Sequence, residues 1–453
     1  MADQGKPDTS RSLRRVLTHW DAVALIVGIV IGSGIFATPP EIARSLGSFG
    51  PMIGIWTLGG LLALCGALSY AELAAMFPHT GGSYVFLREA YGPAPAFVFG
   101  WSALLVTYPA SLAAVSTVFA AYLRRLLPLA PETQAGVAAA LCLSMCGLNM
   151  LGVVFGARVQ RALTAAKVLA LAALVVVGAF SSAGRVENLR PLWAAPSSGW
   201  SAAALALALA SVMWTFEGWA DGPTLSGEMK NMRRDLPRAL VIGTVMMTAL
   251  YVLLNAAYVF VLRIPGVAAS DSVAVDMATA GLGAHGALFV TVLVLVSTGG
   301  SVNGMAISGS RVLFAMARDG LFFESVGRPH PRFATPTHAL AILGVVSAAY
   351  CLLGTFEQIM RYFVFVSMIW YVMNILAIFI LRRRRPDADR PFRVPLYPLP
   401  PLLFLLMALG LASQLLFEER RDALIGLLIL CAAVPAYFVW RRLHGGTQKV
   451  PRE

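Results

Sequence analysis

Twelve apolar runs, each near the length that crosses a bilayer, account for most of this chain. A spanning helix needs roughly 20 mostly apolar residues. Such runs occupy positions 22–46, 51–77, 95–123, 134–152, 156–180, 199–231, 236–262, 285–317, 336–354, 358–381, 396–417 and 422–440, here spans 1–12. The 453 residues are 58% hydrophobic and 13% charged, whereas a soluble domain carries about 25% charged residues. The sequence therefore predicts an all-α polytopic membrane protein. It excludes a soluble enzyme, a disordered scaffold and a secreted disulfide framework. Span 1 is too long for a cleavable leader and lacks a small-x-small cleavage site, and no hydrophilic stretch is long enough for a separate soluble domain.

The net charge of +12 sits in short basic clusters between the runs, where membrane proteins keep orientation signals. A basic groove interleaved with aromatics, which a nucleic-acid binder needs, is not visible, so no nucleic-acid partner is expected. Counted over alternate loops, 25 Lys and Arg fall on the side of the N terminus and 9 on the other, with Lys167 left inside span 5. That bias places both termini in the cytoplasm of a cell-membrane protein. The block Arg382-Arg383-Arg384-Arg385 reads as a stop-transfer anchor against anionic lipid head groups. Residues 1–17 and the tail after Leu443 read as disordered. Cys65, Cys142, Cys146, Cys351 and Cys431 lie in apolar runs without metal spacing and read as packing thiols.

Two runs are interrupted, five spans apart. Span 1 reads Ile29-Val30-Ile31-Gly32-Ser33-Gly34-Ile35-Phe36, and span 6 reads Met213-Trp214-Thr215-Phe216-Glu217-Gly218-Trp219-Ala220-Asp221-Gly222-Pro223. Glycine destabilises a helix interior by about 1 kcal/mol, and inside lipid a freed backbone group must find another partner. Breaks at corresponding places in two halves of a transporter point to a midplane binding site. Each break offers amides to a carboxylate and carbonyls to an ammonium. α-Amino acids carry both groups on one carbon. Taken alone, Gly32-Ser33-Gly34 is equally a close helix contact through small residues; the matching break in span 6 favours a site.

Charged groups inside spans are costly and usually functional. Glu72 lies toward the cytoplasmic end of span 2 and reads as structural. Lys167, mid-span 5, has two readings: an ion pair with Glu217, or an ammonium standing in for a coupling cation beside the span 1 break. In the second reading it is held by Ser297 and Ser301, four apart on one face of span 8. The second is favoured, because small polar residues concentrate on faces that meet other helices or a cavity.

The stretches GIVIGSGIF, ALSYAEL with PHTGGSYVFLREAYG, FEGWADGPTLSGEMKNMRRDLPRAL, SVNGMAISGSRVLFAMARDG and RRPDADRPFRVPLYP together resemble a bacterial L-type amino-acid transporter of the amino acid–polyamine–organocation superfamily. The resemblance runs over about residues 20–442. It implies a LeuT-like fold, with spans 1–5 and 6–10 as inverted repeats and spans 11 and 12 outside. The implied organisation is an N-terminal tail at 1–19, a transport core at 20–384, spans 11–12 at 385–442 and a tail at 443–453. The implied carboxylate site falls on Gly32, Ser33 and Gly34. The implied amino-group acceptors are carbonyls near Val30, Ile31, Trp214 and Glu217, with Gly218 in the same break. Trp214 matches the aromatic that closes over the substrate. Lys167, with Ser301 and Ser297, matches the link between span 1 and the scaffold in sodium-independent members.

This resemblance implies a sodium-independent transporter of L-amino acids, exchanging or proton-linked, with no cofactor and no metal. Animal members carry a Cys between spans 3 and 4 that bonds a heavy chain; 124–134 has none, so no disulfide-linked partner is expected. Glu217 stands where many members have Gly, Ser or Asp. It reads either as an acceptor for cationic side chains or as a cap on the second half of span 6. Alternatives are a polyamine or cationic amino-acid antiporter and a non-transporting amino-acid sensor. A membrane enzyme is not expected, because His19, His79, His285, His330, His338 and His444 fall at span ends or in loops and meet none of the demands of a reactive site.

Overall fold

The computed structural model describes residues 13–194, 199, 201–354, 356–418 and 420–444, with side chains throughout except at 356–363 and 418. Eleven helices among the described residues are long and apolar enough to cross a membrane. The remaining run, span 9 (Thr337–Leu353), forms a helix of 17 residues. At 1.5 Å per residue it is about 26 Å long, slightly short of the ~30 Å hydrocarbon core. It packs among spans 3, 4 and 8, so each apolar run is a helix of the bundle.

Spans 2 (Phe49–Met76), 4 (Gln134–Met150), 5 (Val153–Ala179), 8 (His285–Arg318), 10 (Phe356–Arg384), 11 (Leu399–Glu418) and 12 (Arg420–His444) are single helices. Span 7 (Met232–Ala269) turns at Arg263, whose φ is 61°, so its straight part ends where the sequence predicts. Spans 2 and 7, 3 and 8, and 4 and 9 pack against each other, each pair five apart in order. Span 11 lies on spans 2 and 10, and span 12 on span 10 and the first part of span 3.

Span 1 is not the single run 22–46. It is His19–Val30, a break at 31–33, one turn at Gly34–Ala37, and a separate helix Pro39–Leu46 that ends on Gly47 at φ 71°. Pro39 and Pro40 explain the second interruption, since a proline has no amide to continue the preceding turn. Span 6 is Ala202–Thr215, capped by Ser201, which accepts from the Ala204 amide at 3.0 Å. After Gly218 it resumes as a 3₁₀ helix, Trp219–Glu228. Span 3 runs from Pro93–Ser102 through a π-helical stretch, Ala103–Thr107, into Tyr108–Leu123. Pro109 clashes with the carbonyl of an ordinary α-turn, and a wider turn accommodates it.

Two sequence readings of the end that holds the start of span 1 change. The tail is not free up to residue 17: the Val16 and Leu17 amides both donate to the Glu228 carbonyl at 2.9 Å, and the Lys230 amide donates to Leu17 at 2.9 Å. Residues 1–12 and 445–453 lie outside the described residues. The arginine block is no mere lipid anchor. Arg382 donates to both oxygens of Glu72 (2.9 and 2.7 Å) and lies 3.6 Å over the Tyr397 ring. Arg384 donates to the Ala90 carbonyl at 3.0 Å and Arg385 pairs with Glu89 at 2.9 Å. The carboxylates of span 2 and of the linker helix Ser83–Tyr91 supply the partners, which ties span 10 to the first repeat. All five cysteines are free, four of them buried.

Candidate functional site

The span 1 break is built by withdrawing carbonyls from the helix and satisfying them from the scaffold. The Ile31 amide still reaches Val27 at 3.0 Å, and the Gly32 amide folds back onto Val30 at 2.7 Å. Beyond that the α-ladder stops. Lys167, fully buried, donates to the carbonyls of Gly28 (2.8 Å), Ile31 (2.8 Å) and Ser297 (2.6 Å) and to the Ser301 hydroxyl at 3.4 Å. The Ser297 hydroxyl donates to Ile31 at 2.7 Å, and the Ser301 hydroxyl reaches Gly28 at 3.0 Å. Of the two readings of Lys167, the geometry matches the one in which it joins span 1 to span 8. Its bonds go to carbonyls and a hydroxyl, not to Glu217.

The opposite side of the break is different. Among the described residues, none accepts from the amides of Ser33, Gly34 or Ile35. Gly32 and Ser33 keep partial exposure inside the bundle. A row of unpartnered amides at a helix start is suited to an anion.

The second break faces the first closely. Gly218 has φ 116°, and a β-carbon there would lie 2.5 Å from the Ile29 side chain. This glycine thus lets the two breaks touch instead of opening space for a ligand. A β-carbon on Gly34 would lie 3.1 Å from Thr215, whose hydroxyl is 3.1 Å from that of Thr38. Tyr251 of span 7 bridges the pair, donating to the Val30 carbonyl at 3.1 Å and reaching that of Thr215 at 3.5 Å.

These contacts redistribute the sequence-predicted acceptors. The Val30 carbonyl already receives Tyr251 and Gly32, and that of Ile31 receives Lys167 and Ser297. A carbonyl oxygen has two lone pairs, so both are filled by the protein itself. The acceptors left for an ammonium lie on span 6. On that span the Trp214 carbonyl is filled as well, by the Glu217 amide at 3.1 Å and the Phe216 amide, whereas the Phe216 carbonyl receives no backbone amide among the described residues. Trp214 itself is 40% exposed.

Glu217 is half-buried and accepts a hydrogen bond from the Tyr371 hydroxyl at 2.6 Å. Tyr371 stacks on Trp219, with centroids 5.7 Å apart. Sequence reasoning missed a second carboxylate, Asp221, one residue before Gly222-Pro223, which accepts from Tyr108 at 2.7 Å. The π-helical stretch of span 3 ends immediately before Tyr108. Tyr251 and Tyr108 carried no sequence signal, because a tyrosine in an apolar run looks like core. Also missed was a chain of buried amides behind the site, in which Asn149 donates to Asn303 and Asn303 to Gln160, each at 2.7 Å. No group of three or more metal-ligating side chains occurs among the described residues.

Comparison with known proteins agrees with this architecture. A family model described as amino acid permease matches residues 17–424. The chain is similar to the b(0,+)-type amino acid transporter 1 of Mus musculus, 31% identical over 434 residues that cover 95% of this chain and 88% of that one. It is similar to the Asc-type amino acid transporter 1 of Homo sapiens, 32% identical over 443 residues covering 95% and 83%. It also matches the serine/threonine exchanger SteT of Bacillus subtilis, 30% identical over 420 residues covering 92% and 94%. With two interrupted spans facing each other at mid-bundle, the chain belongs to the amino acid permease family, as a multi-pass membrane transporter of amino acids and not an enzyme.

Proposed function

We propose that the protein moves L-amino acids across the membrane by alternating access, without sodium, as an exchanger or a proton-linked carrier. The observation that carries this reading is the asymmetric span 1 break. Its carbonyls are held by Lys167, Ser297 and Ser301, while its amides at Ser33 and Gly34 are unpartnered among the described residues. The amides receive the substrate carboxylate and span 6 carbonyls near Trp214 receive its ammonium. Trp214 closes over it, and the Lys167 ammonium takes the place of a coupling cation. The transport core is 20–384, with 385–442 outside it, and both termini are cytoplasmic on the balance of basic residues.

The test is uptake of labelled leucine and arginine into proteoliposomes, in sodium and in choline, with and without internal amino acid. Equal uptake in both salts, stimulated by internal amino acid, is the expected result. Uptake that requires sodium removes the role given to Lys167, and an absence of flux removes transport altogether.

A second reading, a polyamine or cationic amino-acid antiporter, is favoured by the two tyrosine-held carboxylates, Glu217 and Asp221. A competition panel of all twenty amino acids and linear polyamines against labelled leucine separates the two. Polyamines that compete better than neutral amino acids select the antiporter.

A further inference from the structure

We propose that the groove between the start of span 7 and the residues leading into span 11 binds one anionic phospholipid. The groove has a volume of about 490 Å³ and is lined by Arg233, Arg234, Arg238, Val241, Ile242 and Phe392, among others. None of its lining residues belongs to either break, so it is separate from the substrate path.

Its chemistry is divided along its length. Arg233 is held by Asp389 at 2.8 Å. Arg234 and Arg238 are exposed and have no carboxylate partner among the described residues. Four residues apart on one helix, they lie on the same face about one turn from each other. Two neighbouring guanidiniums thus line one groove, and each carries the planar fork that binds phosphate in bidentate fashion. Toward the bilayer the same stripe becomes apolar: Ile242 is 40% exposed and Val245 is 50% exposed.

A phosphate seated on Arg234 and Arg238 thus has an apolar track beneath it, Val241, Ile242 and Val245. Free phosphate has no use for that track, and a zwitterionic lipid brings a cation to the arginines. The occupant with both complementary parts is a phospholipid of net negative charge, and basic pockets beside membrane helices take such head groups. Only residues 229–231 separate this face from the 3₁₀ half of span 6, so a lipid held here lies against the root of a broken span.

The experiment is native mass spectrometry of the full chain in detergent, titrated with phosphatidylglycerol or phosphatidylcholine. One phosphatidylglycerol is expected to bind in preference to phosphatidylcholine. The R234Q/R238Q variant should bind it about thirtyfold more weakly, given what each basic residue contributes near an anionic surface. R420Q/R421Q, which removes the same charge at the start of span 12, should bind as the wild type does. Ile242→Trp keeps every charge but fills the track, and should also lose the lipid. This variant decides the matter if the double arginine variant fails to fold. Equal binding by R234Q/R238Q and wild type, equal binding of both lipids, or displacement of phosphatidylglycerol by inorganic phosphate alone would overturn the proposal.

Discussion

Lys167 is the most demanding residue in the molecule. Taking an ammonium out of water costs several kcal/mol, and no carboxylate among its bonded partners offsets that cost. Three carbonyls within 2.8 Å do so instead, each bond to a charged donor contributing about 1.5–3 kcal/mol. An arrangement this costly is retained for what it positions, here the unwound end of span 1. Replacing the lysine with alanine leaves Gly28 and Ile31 to the two serines alone. Amino-acid exchange in proteoliposomes should then fall by at least about tenfold, the worth of one such bond, while expression and detergent stability survive. Exchange at the wild-type rate would take the lysine out of the mechanism. Glu217 allows a cleaner substitution. Glutamine keeps the bond from Tyr371 and removes only the charge. Uptake of arginine and lysine should fall about 10- to 100-fold, the range for a charge-assisted bond, with leucine little changed. Equal losses for all three would mean that the carboxylate caps span 6 instead of reading side chains.

At the level of elements, the proposed transport site is the meeting of two interrupted helices, and a single glycine permits their close approach. Gly218 combines a left-handed φ of 116° with a neighbour 2.5 Å from where a β-carbon would stand. A non-glycine residue held in such a region costs about 1–3 kcal/mol. Gly218→Ala should therefore lower the melting temperature of the purified protein and slow exchange. Adding Ile29→Ala removes the clash but not the backbone strain, so it should restore the protein only in part. A melting temperature unchanged in Gly218→Ala would show that the breaks do not need this contact.

Both breaks were legible in the sequence, because glycines beside polar residues weaken a spanning helix where lipid offers the freed backbone no partner. Lys167, Ser297 and Ser301 were legible as polar groups in a setting that tolerates few. What could not be read was how backbone atoms are shared. No pattern says that Tyr251 fills the Val30 carbonyl, or that Ile31 is occupied from span 8. The π-helical turn of span 3 and the 3₁₀ geometry of span 6 leave no periodicity at that length. Asp221 therefore looked like part of a turn, although it faces Tyr108 across the bundle.

Across the whole molecule, the half that holds the start of span 1, cytoplasmic in the proposed orientation, is shut. The extended segment before span 1 lies on residues 228–230, and behind it Arg311 and Glu228, both almost fully buried, pair at 2.8 Å. Asp21 adds an ion pair with Arg161 at 3.1 Å. Partial exposure at Gly32, Ser33 and Trp214 leaves the site itself less tightly packed than this seal. Alternating access requires the seal to part, so its strength sets how seldom the inner path opens. Removing one partner of a buried ion pair costs about 3–5 kcal/mol. In this fold that cost weighs on the shut arrangement more than on an open one, where water reaches the orphaned charge. Arg311→Gln should therefore shift the resting protein toward inner opening. Leu25 reports on this, since it is buried behind Leu17 and lines the small cavity beside Arg311. A cysteine placed there, with the exposed Cys431 changed to serine, should react slowly with a membrane-impermeant thiol reagent applied from the cytoplasmic side. Arg311→Gln should raise that rate severalfold, and saturating substrate should change it again as the site closes. Identical labelling rates in the two backgrounds would mean that the Arg311–Glu228 pair holds the fold together without gating the path, and the seal would then have to be sought in the Leu17 backbone contacts and the Asp21–Arg161 pair.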